Sequence, residues 1–189
     1  MQTWPFYLWQ NKNKLSSRNL NTVKKIITRY YKSPVGELVL GAFNEHLCLC
    51  DWRYRDKRKA IDTRLQTSLK SSYQGGSSNI IEMTIQQLNE YFDTKRTTFN
   101  VPLLLTGTHF QKQVWLALET IPFGQTVSYS QLANMINNKN AVRAVANANA
   151  ANAIAIIIPC HRVIGSNGSL TGYAGGLEAK NKLLELEKR

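Results

Sequence analysis

Acidic residues are scarce in this chain. Twelve Asp and Glu stand against 24 Lys and Arg in 189 residues, giving a formal net charge of +12 and a pI near 9.8. That imbalance favours an anionic partner, most commonly nucleic acid. Cysteine is scarce too. Cys48, Cys50 and Cys160 are an odd count of 3, which gives no disulfide framework and suits a reducing cytoplasm. Long hydrophobic runs are missing, and Ala153–Ile158 is far too short to span a membrane. The N-terminus carries Trp4, Phe6, Leu8 and Trp9 without the charged region or cleavage site of a signal peptide. The glycine loop Gly165-Ser166-Asn167-Gly168 lacks the lysine of a phosphate cradle and reads as a turn.

What is present divides the chain. Residues 1–23 read as a basic, loosely docked extension, and basic residues continue through Lys24, Lys25, Arg29 and Lys32. A second basic cluster, Arg53, Arg55, Lys57, Arg58 and Lys59, reads as a solvated face. Residues 24–105 have the pattern of a small α+β domain. Strands are expected at Ile26–Lys32, Glu37–Phe43 and His46–Trp52, with turns at Ser33-Pro34-Val35-Gly36 and around Asn44-Glu45. In the third strand, alternation places Leu47 and Leu49 on one side and Cys48 and Cys50 on the other. Helical composition follows at Asp56–Lys70, then a flexible loop at Ser71–Ser78. A helix over Asn79–Phe92 follows, with Asn79 and Glu82 at capping-box spacing.

Residues 106–189 turn mainly helical. Thr108 with Gln111, and Ser128 with Gln131, have the spacing of capping boxes. The segment from Ser128 to Ala148 offers two short helices joined by a polar connection, as a helix-turn-helix requires. Its second helix is nearly all Ala, Val and Asn, with one cation, Arg143. An alanine-rich packing helix explains that composition as readily as a groove reader does.

The stretch Ile156-Ile157-Ile158-Pro159-Cys160-His161-Arg162-Val163 proposes a reaction. The aliphatic run reads as a buried strand that Pro159 stops, delivering a thiol beside an imidazole. A thiol held there can become the attacking thiolate.

Pro159-Cys160-His161-Arg162-Val163 resembles the active-site motif of the methylated-DNA–protein-cysteine methyltransferases, the O6-alkylguanine-DNA alkyltransferases. Gly124-Gln125-Thr126-Val127-Ser128-Tyr129 is similar to that family's turn and tyrosine, and Arg143-Ala144-Val145 to its recognition helix. Asn152 stands at the hinge asparagine, Thr171–Gly176 at the loop walling the base pocket, and Leu183–Glu187 at the closing helix. The resemblance implies an α+β fold: an N-terminal sheet-plus-helix domain, then a mainly helical domain with a winged helix-turn-helix-like DNA-binding unit. It implies irreversible, single-turnover transfer of the alkyl group from O6-methylguanine, and O4-methylthymine, in double-stranded DNA to Cys160, with the base flipped out. His161 would be the base, Glu187 its carboxylate, and Tyr129 the donor to the departing guanine. Val163, Asn152, Tyr173, Ala174 and Gly175 would bind the base, through backbone groups at Val163 and Ala174. Arg143, Ala144 and Tyr129 would meet the DNA, with Arg143 in the gap left in the stack. Neither cofactor nor metal is expected, and the protein is expected to be a cytoplasmic monomer. Gly175, standing where some relatives carry tryptophan, predicts a pocket open to alkyl groups larger than methyl.

Alternatives follow from the same residues. His46, Cys48 and Cys50 could converge on an ion, but a fourth ligand is not evident and Cys-x-Cys is not the usual zinc spacing. A DNA-binding module without chemistry would not need Cys160. A papain-type hydrolase would separate cysteine and histidine in sequence.

Overall fold

The computed structural model describes residues 24–188, so the expectation for the extension 1–23 lies outside the described residues. The elements run β1 (Ile26–Ser33), β2 (Gly36–Phe43), β3 (His46–Trp52), α1 (Arg58–Leu69), β4 (Tyr73–Gly75) and α2 (Asn79–Phe92). Then follow α3 (His109–Glu119), β5 (Val127–Ser128), α4 (Tyr129–Met135), α5 (Val142–Ala150), β6 (Val163–Ile164) and α6 (Gly176–Glu187). Among the described residues the fold is α+β: a four-stranded sheet with two helices, then four helices and a parallel two-stranded pair, β5 and β6.

The sheet has the order β3-β2-β1-β4. Asn44 and Glu45 close the β2–β3 hairpin with φ of 46° and 57°. Positive φ at both central residues matches the twist of the strands they join. The expected flexible loop at Ser71–Ser78 instead contains β4, whose three residues pair parallel with Ile26, Ile27 and Thr28. Its polar, glycine-bearing sequence gives no apolar alternation, so only the neighbouring strand defines it.

Strand β3 departs from simple alternation. Its register slips opposite Gly41 and Ala42, where Leu49 and Leu47 are the partners. Cys48 is thus the extra residue of a bulge, and a bulge reverses the side-chain parity beyond it. Leu47 and Cys50 therefore enter one apolar cluster, and Cys48 and Leu49 another. Among the described residues, no group of three His, Cys, Asp or Glu side chains is placed to hold a metal.

The outer edge of β3 is covered by two later segments, residues 102–104 and, from the C-terminal half, residues 153–155. Leu47 N donates to the Pro102 carbonyl at 2.8 Å and Leu104 N to Leu47 O at 2.9 Å. Cys50 N donates to Ala153 O at 2.9 Å, and Ala155 N to Cys50 O at 2.6 Å. One apolar cluster then runs from Leu38, Leu40 and Trp52 through Leu88 and Trp115 to Leu183.

Capping fixes the helix starts. Both expected boxes form: Thr108 accepts from Gln111 N at 3.2 Å, and Ser128 from Gln131 N at 3.1 Å. The cap of α2 lies one residue earlier than expected. Ser78 accepts from Ile81 N, and Glu82 instead pairs with Arg29 and Ser77. Helices α4 and α5 pack together across a short turn, and Trp115 of α3 donates to Ala148 O of α5 at 2.8 Å. Among the described residues, no helix is long and apolar enough to cross a membrane.

Ile156–Ile158 is buried, but it is not a strand. Ile156 takes φ 71°, a region β-branched residues avoid. The chain turns there, with Ile158 N donating to Ile154 O at 3.0 Å. Asn152 holds the turn through its side chain. It accepts from Ile154 N at 2.9 Å and donates to the Ile158 carbonyl at 3.0 Å. Tertiary bonds therefore override the extended preference of three consecutive isoleucines.

Candidate active site

Pro159 leads into a single 3₁₀ turn, Cys160–Arg162. Cys160 is only 4% exposed, and its backbone N–H donates to Ile158 O at 2.8 Å. Burial pushes its thiol pKa up, while the Asn152 side chain, Arg55 and Lys180 pull the other way. The net rise keeps the sulfur protonated at rest, so chemistry at this atom needs a base.

His161 is fully buried, and its Nε2 lies 2.8 Å from Glu187 Oε1. A carboxylate at that distance can only accept, so Nε2 carries the hydrogen. The other ring nitrogen, Nδ1, is then a bare lone pair, buried and without a partner among the described residues. Burial lowers the His161 pKa, and the hydrogen bond it donates to Glu187 only partly offsets this. A neutral imidazole with one free nitrogen is the form that can take a proton.

Glu187 is the hub. It accepts from Arg162 Nε at 2.8 Å, Arg162 Nη2 at 3.0 Å and the Tyr91 hydroxyl at 2.7 Å. Gly124 N adds a longer bond of 3.3 Å. Burial alone would raise the carboxyl, but bonds from His161 and Arg162 outweigh it and hold the pKa down to about 2.

A cavity of about 360 Å³ opens onto the sulfur. Cys160, Asn152, Tyr129, Tyr173 and Ala174 line it together with Ala146, Asn147, Asn149 and Ala150 of α5. Arg143 and Ala144 are exposed near the start of α5, outside this wall. Val163 is buried, and its carbonyl already accepts from Lys180 Nζ at 2.5 Å. Lys180 is itself fully buried, and desolvation lowers its pKa to about 8.

Gly175 does not open the pocket. It lies outside the cavity wall, and a Cβ there would stand 2.3 Å from Trp52 Cε2. The indole of Trp52, at the end of β3, fills the space that the missing side chain leaves. Trp52 also meets Tyr173 edge-on, with ring centroids 5.7 Å apart. The expectation of extra room at Gly175 is therefore corrected by a residue over a hundred positions away in sequence.

Sequence reasoning missed Arg55, Tyr91, Lys180 and Trp52. Arg55 belongs to the basic run expected as a solvated face, yet it is 8% exposed and lines the cavity. Its signal was Asp51 four residues earlier, an ion-pair spacing. Lys180 shares the helical stripe of Leu183, Leu184 and Glu187, all buried.

Residues 26–105 match the family model described as 6-O-methylguanine DNA methyltransferase, ribonuclease-like domain, and residues 109–189 match that family's DNA binding domain. A methylated-DNA–protein-cysteine methyltransferase of Mycobacterium leprae is 54% identical over 163 residues, covering 85% of this chain and 91% of the relative. One of Mycobacterium bovis is 57% identical over 104 residues, covering 55% of this chain and 63% of the relative, less than two thirds of its length. The crystal structure of Mycobacterium tuberculosis OGT in complex with DNA matches with a TM-score of 0.74 at 42% identity, covering 86% of this chain and 93% of that one. The chain belongs to the 6-O-methylguanine DNA methyltransferase family.

Proposed function

We propose that the chain repairs double-stranded DNA by direct reversal, moving the alkyl group of O6-alkylguanine onto Cys160. The observation that carries this reading is one cavity lined by a buried thiol, by Tyr129 and by the recognition helix α5. Supporting it are the family's description and a relative captured with DNA. The reading divides the chain into working units at 24–105 and 106–189.

The thiol proton passes through an intervening water to His161 Nδ1, and the imidazolium is held by Glu187. The sulfur attacks the alkyl carbon. The S–C bond forms, the C–O6 bond breaks, and its electron pair stays on the guanine. The Tyr129 hydroxyl donates a hydrogen bond to ring N3, stabilising the charge that builds there, and the proton on His161 passes to the departing base and neutralises it. The Ala174 N–H faces the oxygen. Backbone carbonyls of Cys160 and Val163 accept from the exocyclic amine, with Lys180 orienting that of Val163. Asn152 braces the turn, and the Tyr173 ring walls the base.

A base inside a duplex must be rotated out to reach a buried sulfur. Arg143, exposed at the start of α5, takes the vacated place in the stack, and the small Ala144 lets the helix approach the backbone. The product is a thioether that no neighbouring group can hydrolyse, so each molecule acts once. O4-methylthymine presents the same alkyl–oxygen bond and is a second substrate.

Intact-protein mass spectrometry after incubation with an O6-methylguanine duplex is the test. One added methyl, on the Cys160 peptide, is expected. Cys160→Ala should take up none while still binding DNA, and methyl removal by that variant would refute the mechanism.

A further inference from the structure

The end of the recognition helix is held by the other half of the chain. Arg55 Nη2 donates to the Ala150 carbonyl at 2.6 Å, and Nη1 to the Asn152 carbonyl at 3.1 Å. Arg64 Nη2 donates to Ala151 O at 2.8 Å. Three consecutive carbonyls at the end of α5, where a helix leaves acceptors unpaired and partly negative, therefore meet guanidinium groups. Arg55 is itself fixed by Asp51, which is fully buried and accepts from Nη1 at 2.8 and 2.9 Å.

This fork reaches the thiol by two routes. One is mechanical: the Asn152 side chain ties Ile154 and Ile158, the turn that leads into Pro159 and Cys160. The other is electrostatic, because Arg55 lines the cavity onto which the sulfur opens.

We propose that Arg55 is a positioning residue of the alkyl-acceptor site, clamping the end of the recognition helix and the Asn152 turn while lending the thiol's cavity a fixed positive charge. The assignment of Cys160 as acceptor is the reading argued above, and part of the test does not depend on it. The charged and titratable groups facing Cys160 are Arg55 and Asp51 from the first half, with Cys50 of β3. Lys180 of α6, Tyr173 of the loop and the adjoining His161 face it as well, and Asp56, Lys57 and Tyr129 line the same cavity. Asp51 opposes thiolate formation, whereas Arg55 and Lys180 favour it. Removing Arg55 leaves Asp51 with the more distant Arg58, 3.6 Å away, in place of a directly hydrogen-bonded guanidinium.

The full chain and its Arg55→Gln and Arg55→Lys variants are compared by two readouts. Without DNA, the rate of Cys160 carboxamidomethylation by iodoacetamide is followed against pH on its peptide. With an O6-methylguanine duplex, methyl uptake is timed. Arg55→Gln should move the midpoint of the thiol profile up by about one pH unit, a roughly tenfold slower reaction at neutral pH. Arg55→Lys should leave that midpoint in place yet slow methyl transfer about tenfold, because one ammonium cannot reproduce a planar fork shared by three partners. An unchanged thiol profile in the glutamine variant, or a wild-type methyl-transfer rate in the lysine variant, overturns the proposal. Should the glutamine variant fail to fold, the lysine variant decides alone. If the wild type takes up no methyl while the thiol profile of the glutamine variant shifts as described, the alkyl-acceptor reading falls and the hold of Arg55 on the thiol stands.

Discussion

Glu187 accepts from His161, Arg162 and Tyr91 in a site where burial works against its charge. Its pKa is lowered from 4.5 to about 2, so the native state favours the carboxylate. Stability from this group is fully present above pH 4.5 and is lost as pH falls toward 2, an amount of about 3 kcal/mol. His161 acts in the same direction. Its pKa is depressed below 6.5, so the unfolded chain binds a proton below that pH which the folded chain refuses. Glu187→Gln should therefore cost about 3 kcal/mol at neutral pH, since it also leaves Arg162 buried without a counter-charge. It should flatten the acid limb between pH 4.5 and 2. Denaturant unfolding at a series of pH values measures both, and parallel curves for variant and wild type would show that Glu187 is not the titrating group. The same residue illustrates why site chemistry is hard to see in sequence. Glu187 lies within a charged C-terminal stretch, and its residue type does not distinguish it from Glu185, which is exposed. Only the inward stripe through Lys180, Leu183 and Leu184 places it inside.

Elements set by local bonds were legible, and elements set by partners were not. The caps at Thr108 and Ser128 depend on three-residue spacing, so sequence alone finds them. The bulge at Cys48 depends on the register of β2, β4 depends on β1, and the turn at Ile156 depends on Asn152. The Tyr173–Gly175 loop belongs with the second group, because its shape is set by Trp52 from β3. That dependence can be measured as a coupling. Gly175 has φ −90°, which any residue can adopt, so only space forbids a side chain there. Gly175→Ala should cost about 1–3 kcal/mol in the wild type through overpacking. In a Trp52→Leu background the same change should be neutral, or stabilising by up to about 1 kcal/mol, because alanine restricts the unfolded chain. A double-mutant cycle on unfolding free energy reads the difference. Additive effects would mean that the loop is shaped by something other than the indole.

At the scale of the molecule, the site is built across the boundary between the two proposed units. Trp52, Arg55 and Tyr91 come from residues before 105, whereas Cys160, His161 and Glu187 come from residues after it. The apolar cluster follows the same path, and the β3 edge is hydrogen-bonded to backbone at 102–104 and 153–155. Separating the halves would uncover the part of that edge at Cys50, the fully buried Asp51 and the buried ends of Arg55 and Glu187. Each of these groups costs free energy when its partner is removed. Partial unfolding of one half should therefore be nearly as unfavourable as unfolding both. Native-state hydrogen exchange tests this with amides of β2 and α3, one from each half. Their slowest exchange should share one opening free energy, within about 0.5 kcal/mol, and respond equally to denaturant. A gap larger than about 2 kcal/mol would mean that one half opens alone. The cavity at Cys160 would then be assembled and dissolved by motion between units, instead of standing preformed for the base it receives.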